Sequence, residues 1–435
     1  MGKISRGLMT ALMAVLMTWG CFVARYFLKI CRGSEGTVLM TTSNVTPIGI
    51  DDIAFATGSY CIDLADIAPR LGAEPAKYHK GLGQERSSVV ASDEDPVTMA
   101  ATAVKKIVDR HGIDGVRTIM FATETGIDQS KAAAVYVHEL VGLDPHARSV
   151  ELKQACYSGT AALQFACALV ARNPEEKVIV VASDIARYDL DSAAEPTQGA
   201  GAVAMLVTAN PRILAIDAAS GVFTREVMDF WRPNHRSQAL VEGKLSISAY
   251  IDAVQGAYED YRARGGVDFS EIDYFSYHQP FTKMAYKAHR QLSANNGVEL
   301  TAEDEARQLG PTTEYNRIIG NSYTASAYFG LLSLLDTEKD LAGKKVAVVS
   351  YGSGSVAEFL TGNVVEGYES QLRAEDNARE LDERVKLDDP TYYRHAQVTH
   401  EDPGEYSNLG DDALIGTGPF SFTGVEGCKR IYRAR

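Results

Sequence analysis

The sequence carries six cysteines, Cys21, Cys31, Cys61, Cys156, Cys167 and Cys428, and none stands in a CxxC pair or at zinc-finger spacing. That scatter argues against a metal cage or a small disulfide framework and makes a reducing cytoplasm the expected compartment. No stripe of lysine and arginine interleaved with aromatics occurs, and the formal net charge is -14. Both features argue against a nucleic-acid partner. The glycines of GAGAVA and GSGSVA lack the third glycine and the following helix of a dinucleotide fingerprint, and both runs continue as apolar strands. The acidic excess concentrates in the segment 366–412, read as a solvated face. What remains is an ordinary globular composition, 45% hydrophobic and 23% charged over 435 residues, long enough for two packed halves with real cores.

The first residues do not match the rest. Leu8–Ala24 is uncharged and mostly apolar, flanked by Lys3, Arg6, Arg25 and Lys29, at the short end of a bilayer span. A membrane anchor and a signal peptide are two readings, although no small-x-small cleavage site follows the run. The break in composition favours a third, in which translation starts at Met40 and membrane contact arises only if 8–24 is expressed. The chain therefore divides into an extension (1–46), a first half (47–212) and a second half (213–435) that includes the acidic segment.

From Ile48 onward the pattern alternates strands and helices, an α/β arrangement with a parallel or mixed sheet. Asp95-Pro96 opens a helix that Gly112 closes, Asp128 is expected to cap the next helix, and VRTIMFAT and KVIVVASD read as buried strands. The stretch Val150–Asn173 places Cys156 at the start of an apolar helix. Its N-terminus is expected to draw the thiol toward thiolate, whereas Cys167, inside the apolar run, reads as structural.

An internal repeat organises the whole. GAGAVAMLVTAN (Gly199 onward) is echoed by GSGSVAEFLTGN (Gly352 onward), and KVIVVASD by KKVAVVSYG. The helix start at Cys156 lies against Asn321, and Glu124 against His278. A period near 150 residues is too long for a solenoid and reads as a duplicated α/β half.

Nine motifs are more specific: GLGQ at Gly81, ATETGIDQSK at Ala122, ACYSGTAA around Cys156, PTQGAGAVA at Pro196, DFWRP at Asp229, EGKLS at Glu242, YHQPFTKMAYK at Tyr277, GNSYTAS at Gly320 and SYGSGSVAEF at Ser350. In this order they resemble the 3-hydroxy-3-methylglutaryl-coenzyme A synthases of the thiolase superfamily over roughly nine tenths of the chain. The resemblance implies a five-layered αβαβα fold built from two duplicated halves, a homodimer, and acetyl-CoA and acetoacetyl-CoA as substrates. It makes Cys156 the acylated nucleophile, Glu124 the general acid/base and His278 the group that handles the acetoacetyl moiety. Lys283 and Lys287 fall on coenzyme A contacts. Thr197, Ser246, Asn321 and Ser353 fall on acyl or pantetheine contacts, and Asp229 on a supporting position. Where animal members carry an asparagine, this chain has Ala193.

The chemistry asks for these groups on its own terms. Thioester exchange needs a thiolate nucleophile and a leaving coenzyme A, and removal of a methyl proton from the acetyl-enzyme needs a carboxylate with a raised pKa in a dry site. The alkoxide formed on the acceptor ketone needs a donor such as His278, and water then hydrolyses the bond to Cys156. Oxyanions are expected to meet the Cys156 amide and the Gly352-Ser353-Gly354 turn. No metal or redox cofactor is expected, coenzyme A thioesters being substrates. Other readings stand beside this one: a decarboxylating ketoacyl synthase, against which Glu124 argues; a related enzyme acting on carrier-protein-bound β-ketothioesters; and a silent binding protein. Read singly, Glu124 could pair with Lys131, His278 could be a core histidine like His289, and Lys283, Lys287 and Arg290 could be a solvated helix face.

Overall fold

Strands apolar at every position, rather than at alternate ones, must be buried on both faces, and that requirement sets the architecture. The structure is a computed structural model that describes Thr46–Arg435, residues that form one compact unit. The apolar run Leu8–Ala24, Cys21, Cys31 and the expected start at Met40 lie outside the described residues.

In chain order the elements that build the site are β1 (Ile48–Thr57), α1 (Pro96–His111), β2 (Val116–Ala122), α2 (Ala133–Leu140), β3 (Arg148–Leu152), α3 (Ser158–Arg172), β4 (Lys177–Ala186), β5 (Gly199–Ala209) and β6 (Leu214–Thr224). They continue with α4 (Gly243–Ala263), β7 (Tyr274–Tyr277), α5 (Thr282–Asn295), α6 (Ser326–Thr337), β8 (Lys345–Gly352) and β9 (Val356–Val364). The mixed sheet runs β7-β8-β9-β6-β1-β5-β4-β2-β3. The repeat is visible in it. In each half a parallel pair (β2 with β4, β7 with β8) continues into two antiparallel pairings, through β5 to β1 and through β9 to β6. The halves meet where β1 pairs β6 only at Gly49–Ala215 and Ile50–Leu214.

Alternation along the strands divides the core into layers. Val178, Val180 and Ala182 of β4 and Val346 and Val348 of β8 share one cluster with Leu163 and Ala166 of α3 and Leu331 and Leu334 of α6. Their neighbours point the other way: Ile179 and Val181 pack under α1 and α2, and Ala347 and Val349 under α4 and α5. Helices α3 and α6 thus lie between the two half-sheets, with the other helices outside, the five-layered αβαβα order.

Local chemistry sets the ends. Asp95 caps α1 through the Thr98 N–H (2.9 Å), with Pro96 in its first turn and Gly112 closing it. The helix expected after Asp128 starts later, at Ala133. The Asp128 carboxylate instead accepts from the Ser130 and Lys131 N–H groups (2.7 and 2.8 Å), closing a turn that holds these residues out of the helix. The acidic segment is not wholly a solvated face, because Arg373 and Arg384 turn inward while Arg379 and Arg394 stay exposed. Arg373 pairs with the buried Asp52 (Nη2–Oδ2 2.6 Å), and Arg384 is buried and donates to the carbonyls of Leu381 and Ile318. Among the described residues no helix is long and apolar enough to cross a membrane.

Candidate active site

Five residues between β3 and α3 turn the chain so that Cys156 stands just before the helix, with Tyr157 at the cap position and Ala155 in the left-handed region (φ 43°). The thiol is almost completely enclosed, packed with Tyr188, Tyr323, Ala186, Ala239 and Phe230. Its hydrogen bond goes to Glu124, Sγ to Oε1, at 2.9 Å. Glu124 sits two residues beyond the end of β2 and does not pair with Lys131, whose ammonium lies over the Tyr136 ring.

The backbone of Glu124 is fixed by a residue outside the family motifs. Asp184, in β4 and fully buried, accepts with one oxygen from Thr123 Oγ1 (2.7 Å), Glu124 N (2.9 Å), Thr125 N (3.0 Å) and Thr125 Oγ1 (2.6 Å). Its other oxygen accepts from the N–H (3.1 Å) and the hydroxyl of Thr324, in the second half. One carboxylate therefore ties the strand end that carries Glu124 to the segment that follows Asn321. The sequence signal was a carboxylate closing an otherwise apolar strand, which cannot be buried without several donors.

Electrostatics reflect this enclosure. Burial, reinforced by the Asp184 carboxylate, pushes Glu124 up to about 8, while the thiol hydrogen bond and Arg232 pull the other way. Burial and the adjacent Glu124 also push the Cys156 thiol well above its ordinary range. The expected thiolate character is thereby corrected. The helix end supplies a fraction of a charge, whereas removal from water and two nearby carboxylates act in the opposite sense and prevail. Burial also pushes Cys167 up, to about 12.

His278 comes directly after β7. Its N–H donates to the Val349 carbonyl (2.8 Å), its carbonyl accepts from the Tyr250 hydroxyl (2.7 Å), and its ring stacks on Tyr250. Burial lowers it to about 3, so the imidazole is neutral, and among the described residues Nδ1 has no partner. Asn321, also buried, accepts the Tyr323 N–H with Oδ1 (2.9 Å). Among the described residues Ser322 Oγ and Thr282 Oγ1 are buried without a partner.

The glycine turn after β8 lies directly on the cysteine loop. A Cβ on Gly352 would fall 2.5 Å from the Gln154 carbonyl oxygen and 2.6 Å from the Tyr157 nitrogen. Asp229, completely buried, holds this turn by accepting from Gly354 N (2.9 Å) and the Tyr351 hydroxyl (2.7 Å). Both oxygens are thus committed to the protein, and Gly354, whose N–H is spent on Asp229, is not the oxyanion donor expected of it. Ser353 accepts from Gln154 Nε2 with its carbonyl (3.2 Å).

The remaining sequence candidates lie on other elements. Thr197 donates its hydroxyl to the Ala194 carbonyl (2.7 Å), Ala193 is exposed, and Ser246 is half-buried in the first turn of α4. Lys283 and Lys287 rise one turn apart from the start of α5, over the rings of Tyr286 and Phe281, and neither joins an ion pair among the described residues. Gly83 of GLGQ packs against Lys283 and Thr282. His289 hydrogen-bonds Tyr277 and Gln308, as a core histidine does.

Known proteins share this arrangement. Residues 44–212 match the family described as hydroxymethylglutaryl-coenzyme A synthase N terminal, and residues 214–309 and 290–405 match its C-terminal counterpart. The chain is 44% identical over 344 residues to the hydroxymethylglutaryl-CoA synthase of Enterococcus faecalis, covering 78% of this chain and 89% of that protein. It is 32% identical over 363 residues to the polyketide biosynthesis 3-hydroxy-3-methylglutaryl-ACP synthase PksG of Bacillus subtilis (strain 168), covering 78% and 85%. Among solved structures it is similar to an HMG-CoA synthase complexed with CoA (TM-score 0.84, 36% identity, 89% of this chain and all of that one). It is likewise similar to MvaS in complex with 3-hydroxy-3-methylglutaryl coenzyme A (TM-score 0.82, 35% identity, 89% and 99%).

Proposed function

The chain belongs to the hydroxymethylglutaryl-coenzyme A synthase family, and from that premise we propose how its residues condense acetyl-CoA with acetoacetyl-CoA to 3-hydroxy-3-methylglutaryl-CoA. The observation that carries the reading is the 2.9 Å contact between the enclosed Cys156 thiol and the Glu124 carboxyl.

Acetyl-CoA transfers its acyl group to Cys156, and the thiol proton leaves on coenzyme A. Glu124 next takes a methyl proton from the acetyl group, and the carbanion attacks the ketone carbon of acetoacetyl-CoA. The alkoxide takes up the proton that Glu124 holds. His278, neutral at working pH, steadies that oxygen by a hydrogen bond and is not itself the source of the proton, which revises its expected role. Water hydrolyses the remaining thioester, freeing Cys156 and leaving a carboxylic acid. The sum consumes one water, releases one coenzyme A and needs no metal or redox group. The Cys156 and Ser353 amides are assigned as the oxyanion donors in this scheme. Lys283 and Lys287 are assigned to the coenzyme A phosphates. Thr197, Ser246 and Asn321 are assigned to the acyl and pantetheine parts, and Asp229 to holding the glycine turn.

The higher identity to the CoA-dependent relative than to the carrier-protein enzyme supports a coenzyme A-bound acceptor. The assembly belongs to the proposal as well. Strand β3 is the sheet edge, and Val135, Val150 and Phe165 leave apolar surface exposed on or beside it, which suits a homodimer. Phe165→Glu is therefore expected to shift the particle mass measured by light scattering from two chains toward one, and an unchanged mass would remove this edge from the interface. A thiol that must stay reduced suits the cytoplasm, where the product would enter the mevalonate route to isoprenoids. Peptide mapping after incubation with acetyl-CoA tests the nucleophile. The added acetyl mass is expected on the Cys156 peptide alone, and its appearance on Cys167 instead would overturn the assignment.

A further inference from the structure

One half of the fold buries a carboxylate that the other half does without. Glu358 lies in β9 and is 2% exposed, two residues from Leu360, which belongs to the apolar layer between the half-sheets. In the repeat it stands where GAGAVAMLVTAN has Met205, itself completely buried in that layer. An apolar side chain thus serves this position in a half of the same design. An acid there is costly to bury unless donors meet it, so its presence asks for a reason other than packing.

The donors come from α3 and its cap, in the first half. Oε2 of Glu358 accepts from the Tyr157 hydroxyl (2.8 Å) and Oε1 from Gln164 Nε2 (2.5 Å). Burial nevertheless holds the carboxyl above its ordinary value. Thr160, whose hydroxyl meets that of Tyr328 in α6 (2.8 Å), falls between the two donors, and the spacing puts all three on one face of α3.

Tyr157 is the residue that follows the nucleophile. Gly352 presses on its nitrogen, and two residues earlier Ala155 keeps a left-handed φ of 43°. Such a conformation persists where the surroundings over-determine it. The hydrogen bond from Tyr157 to Glu358 is one of those constraints, a tether from the cysteine loop to the second half. Without it the thiol is free to shift against Glu124, and a displacement of about 1 Å at a reacting group costs roughly 10²-fold in rate.

We infer that Glu358 is a positioning residue for acylation, fixing the Cys156 loop through the Tyr157 hydroxyl while its own oxygens stay committed to Tyr157 and Gln164. The inference rests on Cys156 being the acetylated nucleophile.

Rapid-quench acetylation by acetyl-CoA, read by mass spectrometry of the Cys156 peptide in the full chain, tests this. Glu358→Met installs the side chain of the duplicate. It is expected to melt within about 4 °C of the parent, because relief of a buried acid offsets two hydrogen bonds whose donors, Tyr157 and Gln164, are half-buried. Its maximal acetylation rate is expected to fall about 10- to 100-fold. The acetyl-CoA concentration at half-maximal rate should stay within about twofold, since Glu358 acts through Tyr157 and not on substrate. Glu358→Gln, which keeps an acceptor for Tyr157 without the charge, is expected to fall between. Tyr157→Phe removes the same hydrogen bond from its other end and should slow acetylation as much. Adding Glu358→Met to it should then cost less than about twofold more. Tyr157→Phe and Glu358→Gln decide the matter if Glu358→Met is unfolded by circular dichroism. A parental rate in folded Glu358→Met or in Tyr157→Phe, or losses that multiply in the double variant, would overturn the inference. A parent that is not acetylated at Cys156 would instead overturn the functional reading beneath it, so the two failures are told apart.

Discussion

Glu124 joins two demands that pull against each other. It must be enclosed to titrate near working pH, and enclosure makes its ionised form a burden on the fold. Its carboxyl titrates at about 8 in the native protein, against an ordinary value of 4.5. Between those values the native state keeps a proton that the unfolded chain has released, so stability falls as pH rises through the window and levels off above about 8. Glu124→Gln keeps the shape and the acceptor for Cys156 but cannot ionise. It is expected to match the parent in thermal stability near pH 5 and to exceed it by at least about 2 °C at pH 9, in melting curves recorded by circular dichroism. A gain that is the same at both pH values would place the pKa elsewhere. The raised pKa was expected from the chemistry of proton removal, but the part that Asp184 plays in it was not legible in the sequence. The strand end that carries Glu124 was readable, but Asp184 comes within reach of it only after sixty residues of chain have folded back.

At the scale of elements, the site depends on two loops pressed together, the turn before α3 and the turn after β8. Gly352 permits that contact, since any Cβ there meets backbone atoms of Gln154 and Tyr157, which cannot rotate aside. Gly352→Ala is expected to cost about 1–3 kcal/mol in urea unfolding, as overpacking does. Because it moves the loop that carries Cys156, it should also lower kcat by roughly 10²-fold. A variant with parental kcat would show that the cysteine loop tolerates displacement. The strands and helices themselves were readable from pattern: α1 with its Asp95 cap and Gly112 stop, and β4 with its unbroken apolar run, fall where the sequence puts them. The start of α2 was not. Asp128 is as good a cap in sequence as Asp95, and only the turn it closes with Ser130 and Lys131 shows which helix it does not begin.

The whole molecule is a duplicated half whose two copies have parted in chemistry while keeping strand order. The repeat was legible because β4 with β5 and β8 with β9 retain a common pattern of glycines and apolar residues. Its consequence, that Glu124 and Cys156 come into contact while His278 and Asn321 occupy the equivalent strand and helix ends of the second half, needed the sheet to be seen. The protonation of the thiol ran against expectation because a fully enclosed pair of acids outweighs a helix end. That same coupling sets the effect of removing Glu124. Glu124 holds the thiol up, so Glu124→Ala should ionise Cys156 more readily and leave acylation in place, while condensation loses its base. The most direct measurement is therefore the burst of acetyl-enzyme set beside steady-state condensation in Glu124→Ala. The expected result is a burst of near-parental size with condensation lowered by about 10²- to 10⁴-fold. A well-folded variant that condenses within a few-fold of the parent would contradict the assignment of Glu124 as the base.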